Sequence, residues 1–383
     1  MRDAPSPRSF RLPSAGAAII RIALVLTLLY LFLVGVSMLE AGIKALGSDF
    51  QQGLLESVDN PLAGLFAGIL ATVLVQSSSV TTSTIVGLVG AGTLGVPAAV
   101  PMIMGANIGT TITNTIVSLG HARRSEEFRR AFAAATMHDF FNILAVIVFF
   151  PLELSTGFLT NLAERIAGLV GGNIAGGETR SPVKEAVRAP VNAIRDLFDA
   201  VTDSDVILGA LLLVAGIALI FAALTVLSRS MRELIAGRIE RGMNAAVARG
   251  GGVVGIATGA LITIGVQSSS ITTSIVVPLV GSGVLAVRNA FPITLGANIG
   301  TTVTALLASL AVDLRVGLVI ALHHVLFNTI GVAVLYPIPW TRNLPVLLAE
   351  RFAVVATRYR ALVGVYVIGL FLIVPLAGIV VLR

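Results

Sequence analysis

The sequence predicts an all-α polytopic membrane protein made of two inverted-topology repeats, each with a re-entrant helical hairpin and a broken transmembrane helix. Three observations predict it. Of the 383 residues, 56% are hydrophobic and only 12% charged, against about 25% charged in an ordinary soluble domain. Long apolar runs recur along the chain, and a segment with a polar tip occurs twice. This composition excludes a water-soluble enzyme of this size. With no Cys and four His, disulfide frameworks and thiolate metal sites are excluded and a multi-His metal site is disfavoured. The net charge of +6 does not mark a nucleic-acid partner, because the basic residues sit in short clusters between apolar runs. The expected surroundings are a lipid bilayer, and ligand chemistry is left to hydroxyls, amides, backbone groups and a few carboxylates.

A bilayer core about 30 Å thick needs about 20 helical apolar residues. Runs at 15–39, 97–119, 129–150, 205–228, 288–311, 316–336 and 361–382 meet that need. The first follows a tail, 1–14, carrying Arg2, Arg8 and Arg11. It is too long for a signal-peptide core and no small-x-small site closes it, so an uncleaved first helix is expected. Stretches 61–92 and 250–283 are cut by Gln76-Ser77-Ser78-Ser79 and Gln267-Ser268-Ser269-Ser270. The halves are too short to cross, and a polar tip is tolerated at membrane depth only inside protein or beside a watery cavity. Both stretches are therefore read as re-entrant hairpins.

Basic residues mark cytoplasmic loops. Seven crossings and two non-crossing hairpins put the tail, the Arg123, Arg124, Arg129 and Arg130 cluster, the cluster from Arg229 to Arg249, and the segment from Arg342 to Arg360 on one side of the cytoplasmic membrane. The N-terminus is then inside and the C-terminus outside. The acid-rich link from 151 to 204 falls on the other side, and 173–204, with paired glycines, Pro182 and Pro190, reads as an irregular external linker. The C-terminal helix, 361–383, closes the chain.

Residues 76–119 align without a gap on 267–310 at an offset of 191, with about three in five positions identical. The match includes Gln-Ser-Ser-Ser-x-Thr-Thr-Ser and Gly-Ala-Asn-Ile-Gly-Thr-Thr (Gly105 to Thr111, Gly296 to Thr302). It continues at an offset of 186 through His138, Phe141 and Asn142 onto His324, Phe327 and Asn328. Repeat 1 spans 15–172 and repeat 2 spans 205–360. Each has three crossings, an odd number, so the second copy is inverted, as in secondary transporters.

An isolated Ser or Thr in a membrane helix bonds back to a carbonyl or across to a neighbour. The density of hydroxyls at 76–84, repeated at the second tip, exceeds that explanation. Glycines and Asn in Gly-Ala-Asn-Ile-Gly-Thr-Thr favour an unwound or left-handed backbone within a span, with a helix-packing face as the alternative. Sodium takes hydroxyl, amide and carbonyl oxygens, and an oxyanion takes hydroxyls, amides and helix N-termini. The candidate sodium ligands are Thr81, Thr82, Asn107, Thr110, Thr111, Asp139, Thr272, Thr273, Asn298, Thr301 and Thr302. Neither motif contains Lys or Arg, so a bound anion must be neutralised by co-bound cations. Asp139, an acid in an apolar stretch, is functional by default unless it pairs with His138 or caps a neighbouring helix. Its repeat counterpart is Val325.

The duplicated Gln-Ser-Ser-Ser and Gly-Ala-Asn-Ile-Gly-Thr-Thr motifs, with Phe128-Arg129-Arg130-Ala131-Phe132 leading to His138-Asp139, resemble the type II sodium-dependent phosphate cotransporters from about residue 20 onward. The resemblance implies uptake of inorganic phosphate with sodium as the co-transported ion and no cofactor. It also implies a phosphate site at Gln76, Ser77, Ser78, Ser79, Gln267, Ser268, Ser269 and Ser270. By the same resemblance, an acid at Asp139 marks members that carry an additional sodium and move net charge. The linker here is short and has no Cys, so nothing carries over from the large external loop of animal members. A symporter of sulfate or a dicarboxylate is the alternative transport reading, and a homodimer is a candidate assembly. An intramembrane serine hydrolase is disfavoured, because no elbow-like motif surrounds any Ser.

Overall fold

A computed structural model describes residues 15–47, 49, 52, 60–170, 182–248, 252–312 and 314–382. The tail 1–14, Arg249 and the 173–181 part of the linker lie outside the described residues. In chain order the helices are α1 (Ala15–Ala45), α2 (Pro61–Val75), α3 (Ser78–Gly90), α4 (Val96–Gly109), α5 (Ile112–Leu119), α6 (Ser125–Thr156), α7 (Phe158–Val170) and α8 (Pro182–Asp199). There follow α9 (Asp205–Ala248), α10 (Gly252–Val266), α11 (Ser269–Gly281), α12 (Val287–Ser309), α13 (Leu314–Leu335), α14 (Pro339–Arg358), α15 (Ala361–Ile368), a π-helical turn (Gly369–Ile373) and α16 (Val374–Leu382). No strand occurs among the described residues.

Among the described residues, six helical stretches are long and apolar enough to cross a membrane: Ile19–Ala45, Ser125–Thr156, Asp205–Arg232, Val287–Ser309, Arg315–Leu335 and Ala361–Leu382. The remaining expected span, 97–119, is divided between α4 and α5. At the division the Thr111 N–H bonds the Ile108 carbonyl, three residues back instead of four. The hydroxyls of Thr110 and Thr111 also donate to the Ala106 and Ile108 carbonyls, each at 2.8 Å. Back-bonded threonines compete with the helical ladder and bend it.

The expected break in 288–311 is not there: α12 runs unbroken through Gly300-Thr301-Thr302. Its Thr302 bonds back, at 2.7 Å to the Ile299 carbonyl, while the Thr301 hydroxyl faces the other repeat at 3.5 Å from Ser79. With one back-bonding threonine instead of two, the helix survives. The left-handed backbone expected in Gly-Ala-Asn-Ile-Gly is likewise absent; Thr110 and Thr111 are right-handed. The motif's glycines allow close packing instead. A methyl on Gly105 would strike the Leu65 carbonyl on α2, and one on Gly296 the Ile256 carbonyl on α10.

The linker also departs from expectation, since Pro182–Asp199 is helical. Val187 and Val191 stand four apart and bury against α1 and α9 beside Val34 and Leu208. Pro190 has no N–H for the Ala186 carbonyl, and the Tyr30 hydroxyl donates to that carbonyl at 2.9 Å.

The two copies interlock reciprocally. The second hairpin helix of each, α3 and α11, packs on helices of the other copy, α3 on α12 and α13, α11 on α5 and α6. Helices α7 and α14 do the same, α7 lying on α13 and α14 on α6. The buried Glu153 caps α7 by accepting from the Leu159 and Thr160 N–H groups at 2.7 and 3.1 Å. This exchange brings the two hairpin tips together, with Ser79 Oγ 3.4 Å from the Gln267 carbonyl.

Candidate functional site

Each hairpin turns on a glutamine. Gln76 and Gln267 both have φ 56, a left-handed conformation uncommon for residues other than glycine. Each side chain holds the turn: Nε2 donates to the Val73 or Ile264 carbonyl at 2.6 Å. Each Oε1 accepts from a threonine of its own repeat, Thr113 at 3.3 Å and Thr304 at 3.0 Å. These threonines correspond at the offset of 191, so the duplication extends to individual hydrogen bonds. The next residues, Ser77 and Ser268, are extended N-caps whose hydroxyls accept from the Val80 and Ile271 N–H groups at 3.3 and 3.4 Å.

The first N–H groups of α3 and α11, on Ser78, Ser79, Ser269 and Ser270, have no partner within their helices. They stand at the positive ends of two helix dipoles. Ser79 Oγ lies 3.4 Å from the Gln267 carbonyl, 3.5 Å from Thr301 Oγ1 and 3.4 Å from Thr304 Oγ1. On the other side of the interlock, Thr273 Oγ1 donates to Asn114 Oδ1 at 2.6 Å. None of these partners carries a positive charge. The tips differ in access: Gln76 is exposed and Gln267 is buried.

Asn107 and Asn298 bond within the helices rather than to the tip residues. They are joined through Asn142, whose Nδ2 donates to the Asn107 carbonyl at 2.8 Å while its Oδ1 accepts from Asn298 Nδ2 at 2.9 Å. The Asn107 amide donates to Ile103 of its own helix. Most of the expected sodium ligands bond backward: Thr81 to Ser77, Thr82 to Ser79, Thr272 to Ser268, and Thr110, Thr111 and Thr302 as described above. A hydroxyl that donates backward keeps its acceptor lone pairs, so these residues remain suited to a cation.

Asp139 is fully buried. It is not hydrogen bonded to His138, both of whose ring nitrogens lack a partner. Its Oδ2 accepts from the Tyr366 hydroxyl at 2.6 Å and faces Thr115 at 3.5 Å, while Oδ1 has no partner. A buried carboxylate oxygen with no hydrogen-bond partner is an oxygen ligand of the kind hard cations take.

Thr113, Asn114, Thr304 and Tyr366 belong to these networks and were not singled out from the sequence, and Asn142 stood out only as a repeated position. Thr113 and Thr304 carried a signal, being repeated a fixed distance after the tip. So did Asn114 and Asn142, polar amides in apolar helices. Tyr366 carried none.

A family model described as Na+/Pi-cotransporter matches residues 31–169 and 219–336. The sodium-dependent phosphate transport protein 2A of Ovis aries is 34% identical over 440 residues, covering 95% of this chain and 68% of that protein. The corresponding protein of Mus musculus is 34% identical over 97% of this chain and 69% of its own length. The sodium-dependent phosphate transport protein 2B of Bos taurus is 36% identical over 93% of this chain and 64% of its own length. No solved structure matches the chain.

Proposed function

We propose a transport function for this chain, which belongs to the Na+/Pi-cotransporter family. It carries inorganic phosphate across the membrane together with sodium. The relatives' names specify phosphate and sodium, so sulfate and dicarboxylates are not favoured. The observation that supports a site at the tips is the meeting of two helix N-termini, with Ser79 within 3.4 Å of the Gln267 carbonyl. An oxyanion there is bound by the free N–H groups and hydroxyls of Ser78, Ser79, Ser269 and Ser270. Gln76, Gln267, Ser77 and Ser268 hold the turns that aim those groups.

Sodium is held by threonine hydroxyls and helix carbonyls around the tips, and an additional sodium by Asp139. Because the hydrogen-bonding partners at the tips are neutral, the anion is retained only while cations share the site. That is the physical origin of coupling.

The two repeats are read as inverted, with both hairpins re-entrant in the cytoplasmic membrane. The basic segments meet at one end: the Arg360 guanidinium bonds the Ala122 carbonyl, lies 3.4 Å from Ser125 Oγ and stacks over the Phe128 ring at 4.8 Å. This supports a shared cytoplasmic face for the segments at 123–130 and 342–360, and hence an N-terminus inside and a C-terminus outside. The test is equilibrium stabilisation of the purified protein. Phosphate should raise its Tm only when sodium is present; stabilisation of equal size in potassium would contradict coupled binding.

A further inference from the structure

Tyr366 lies on the C-terminal helix, outside both repeats, yet its hydroxyl makes the shorter of the two side-chain contacts to Asp139 described above. At 2.6 Å, with the phenol donating to Asp139 Oδ2, this is a short hydrogen bond. It fixes one carboxylate oxygen and leaves the other, Oδ1, buried and without a partner.

The helix is built to bring the hydroxyl there. In a regular α-helix residues 366 and 371 would stand about 140° apart. The π-helical turn Gly369–Ile373 brings them onto one face, with their rings in edge contact at centroids 5.8 Å apart. Phe371 is fully buried, and the Tyr366 ring also packs edge-on to Phe352 of α14 at 4.9 Å. The turn has a local cause. Pro375 has no N–H to give the Phe371 carbonyl, and the Val374 N–H bonds Gly369, five residues back. Single π turns inside α-helices recur at functional sites. Beyond the turn, α16 packs on α2, the first helix of the first hairpin. One helix thus touches both the carboxylate and the hairpin.

We infer that Tyr366 is a positioning residue for cation binding at Asp139: its hydroxyl fixes one carboxylate oxygen and so orients the other, Oδ1, toward the ion. The inference rests on the reading of Asp139 as a sodium ligand.

The test is Tyr366→Phe, which deletes one oxygen and keeps the ring packing. In proteoliposomes the sodium concentration for half-maximal phosphate uptake should rise about tenfold, the effect of losing one hydrogen bond to a charged group. The phosphate KM at saturating sodium should stay unchanged. In the Asp139→Gly background, Tyr366→Phe should have no further effect. Wild-type sodium dependence in Tyr366→Phe, or an equal shift in the Asp139→Gly background, would overturn the inference. Sodium-dependent elevation of Tm in detergent gives the same comparison for a variant that transports poorly: the elevation should shrink in Tyr366→Phe alone and not shrink further in the double variant. If Asp139→Gly itself keeps wild-type sodium dependence, the underlying reading of Asp139 fails. If Asp139→Gly alters it and Tyr366→Phe does not, only the role of Tyr366 fails.

Discussion

The Thr273 hydroxyl on α11 donates to Asn114 Oδ1 on α5 at 2.6 Å, tying the second hairpin to the first repeat. Its one proton is shared with the Ser269 carbonyl of its own helix, 2.8 Å away. Thr273→Val keeps the shape and leaves the buried Asn114 amide oxygen unpaired, which should lower stability by about 1–3 kcal/mol. Adding Asn114→Leu should recover part of that loss, because no polar atom is then stranded. Thermal unfolding of the two single variants and the double variant measures the coupling; strict additivity would mean the contact contributes nothing.

The glutamine turns separate strain from chemistry. Gln267→Gly should keep the turn, since glycine adopts φ 56 without strain, but it removes the amide that bonds Thr304. Expression should persist while uptake falls at least about tenfold. Gln267→Val, β-branched in a left-handed position, should lose about 1–3 kcal/mol of stability. Equal behaviour of the two variants in unfolding and uptake assays would show that the backbone conformation is not what the glutamine supplies.

Asn142 is the hinge between the two Gly-Ala-Asn motifs. Asn142→Leu strands the Asn107 carbonyl and the Asn298 amide together, a larger penalty than losing either bond. Uptake should be abolished, and Asn142→Asp should restore at most the bond from Asn298. Wild-type uptake by Asn142→Leu would mean that the relay has no part in transport.

Much of this was legible in the sequence. The hairpins show themselves because apolar halves of sub-membrane length flank a polar tip, and the duplication is visible to the eye. The continuity of α12 was not legible. Its motif is identical to the broken one, and what differs is the partner of Thr301, a hydroxyl 222 residues away on Ser79. The helix in the linker could have been found from Val187, Val191, Ile194 and Phe198, but the glycines and prolines around them outweighed that stripe. The bond from Tyr366 to Asp139 was not legible either: Pro375 marks a local disturbance of the last helix, but not the π turn or the carboxylate that Tyr366 reaches.

Asp139 should decide whether transport moves charge. If it holds an additional sodium, each cycle carries net positive charge inward, and the membrane potential adds about 2.3 kcal/mol per charge per 100 mV. Asp139→Gly should still take up phosphate but no longer respond to a potassium–valinomycin diffusion potential. Val325→Ala, at the matching place in the second repeat, should respond as the wild type does. Undiminished voltage dependence in Asp139→Gly would make the carboxylate a structural partner of Tyr366.

Uptake of labelled phosphate into proteoliposomes containing only this protein bears most directly on what the chain does. An inward sodium gradient should drive accumulation above the external concentration, collapse of the gradient should abolish it, and a potassium gradient of the same size should not replace it. Accumulation that proceeds equally with potassium, or phosphate that equilibrates without ever exceeding the outside concentration, would contradict sodium coupling.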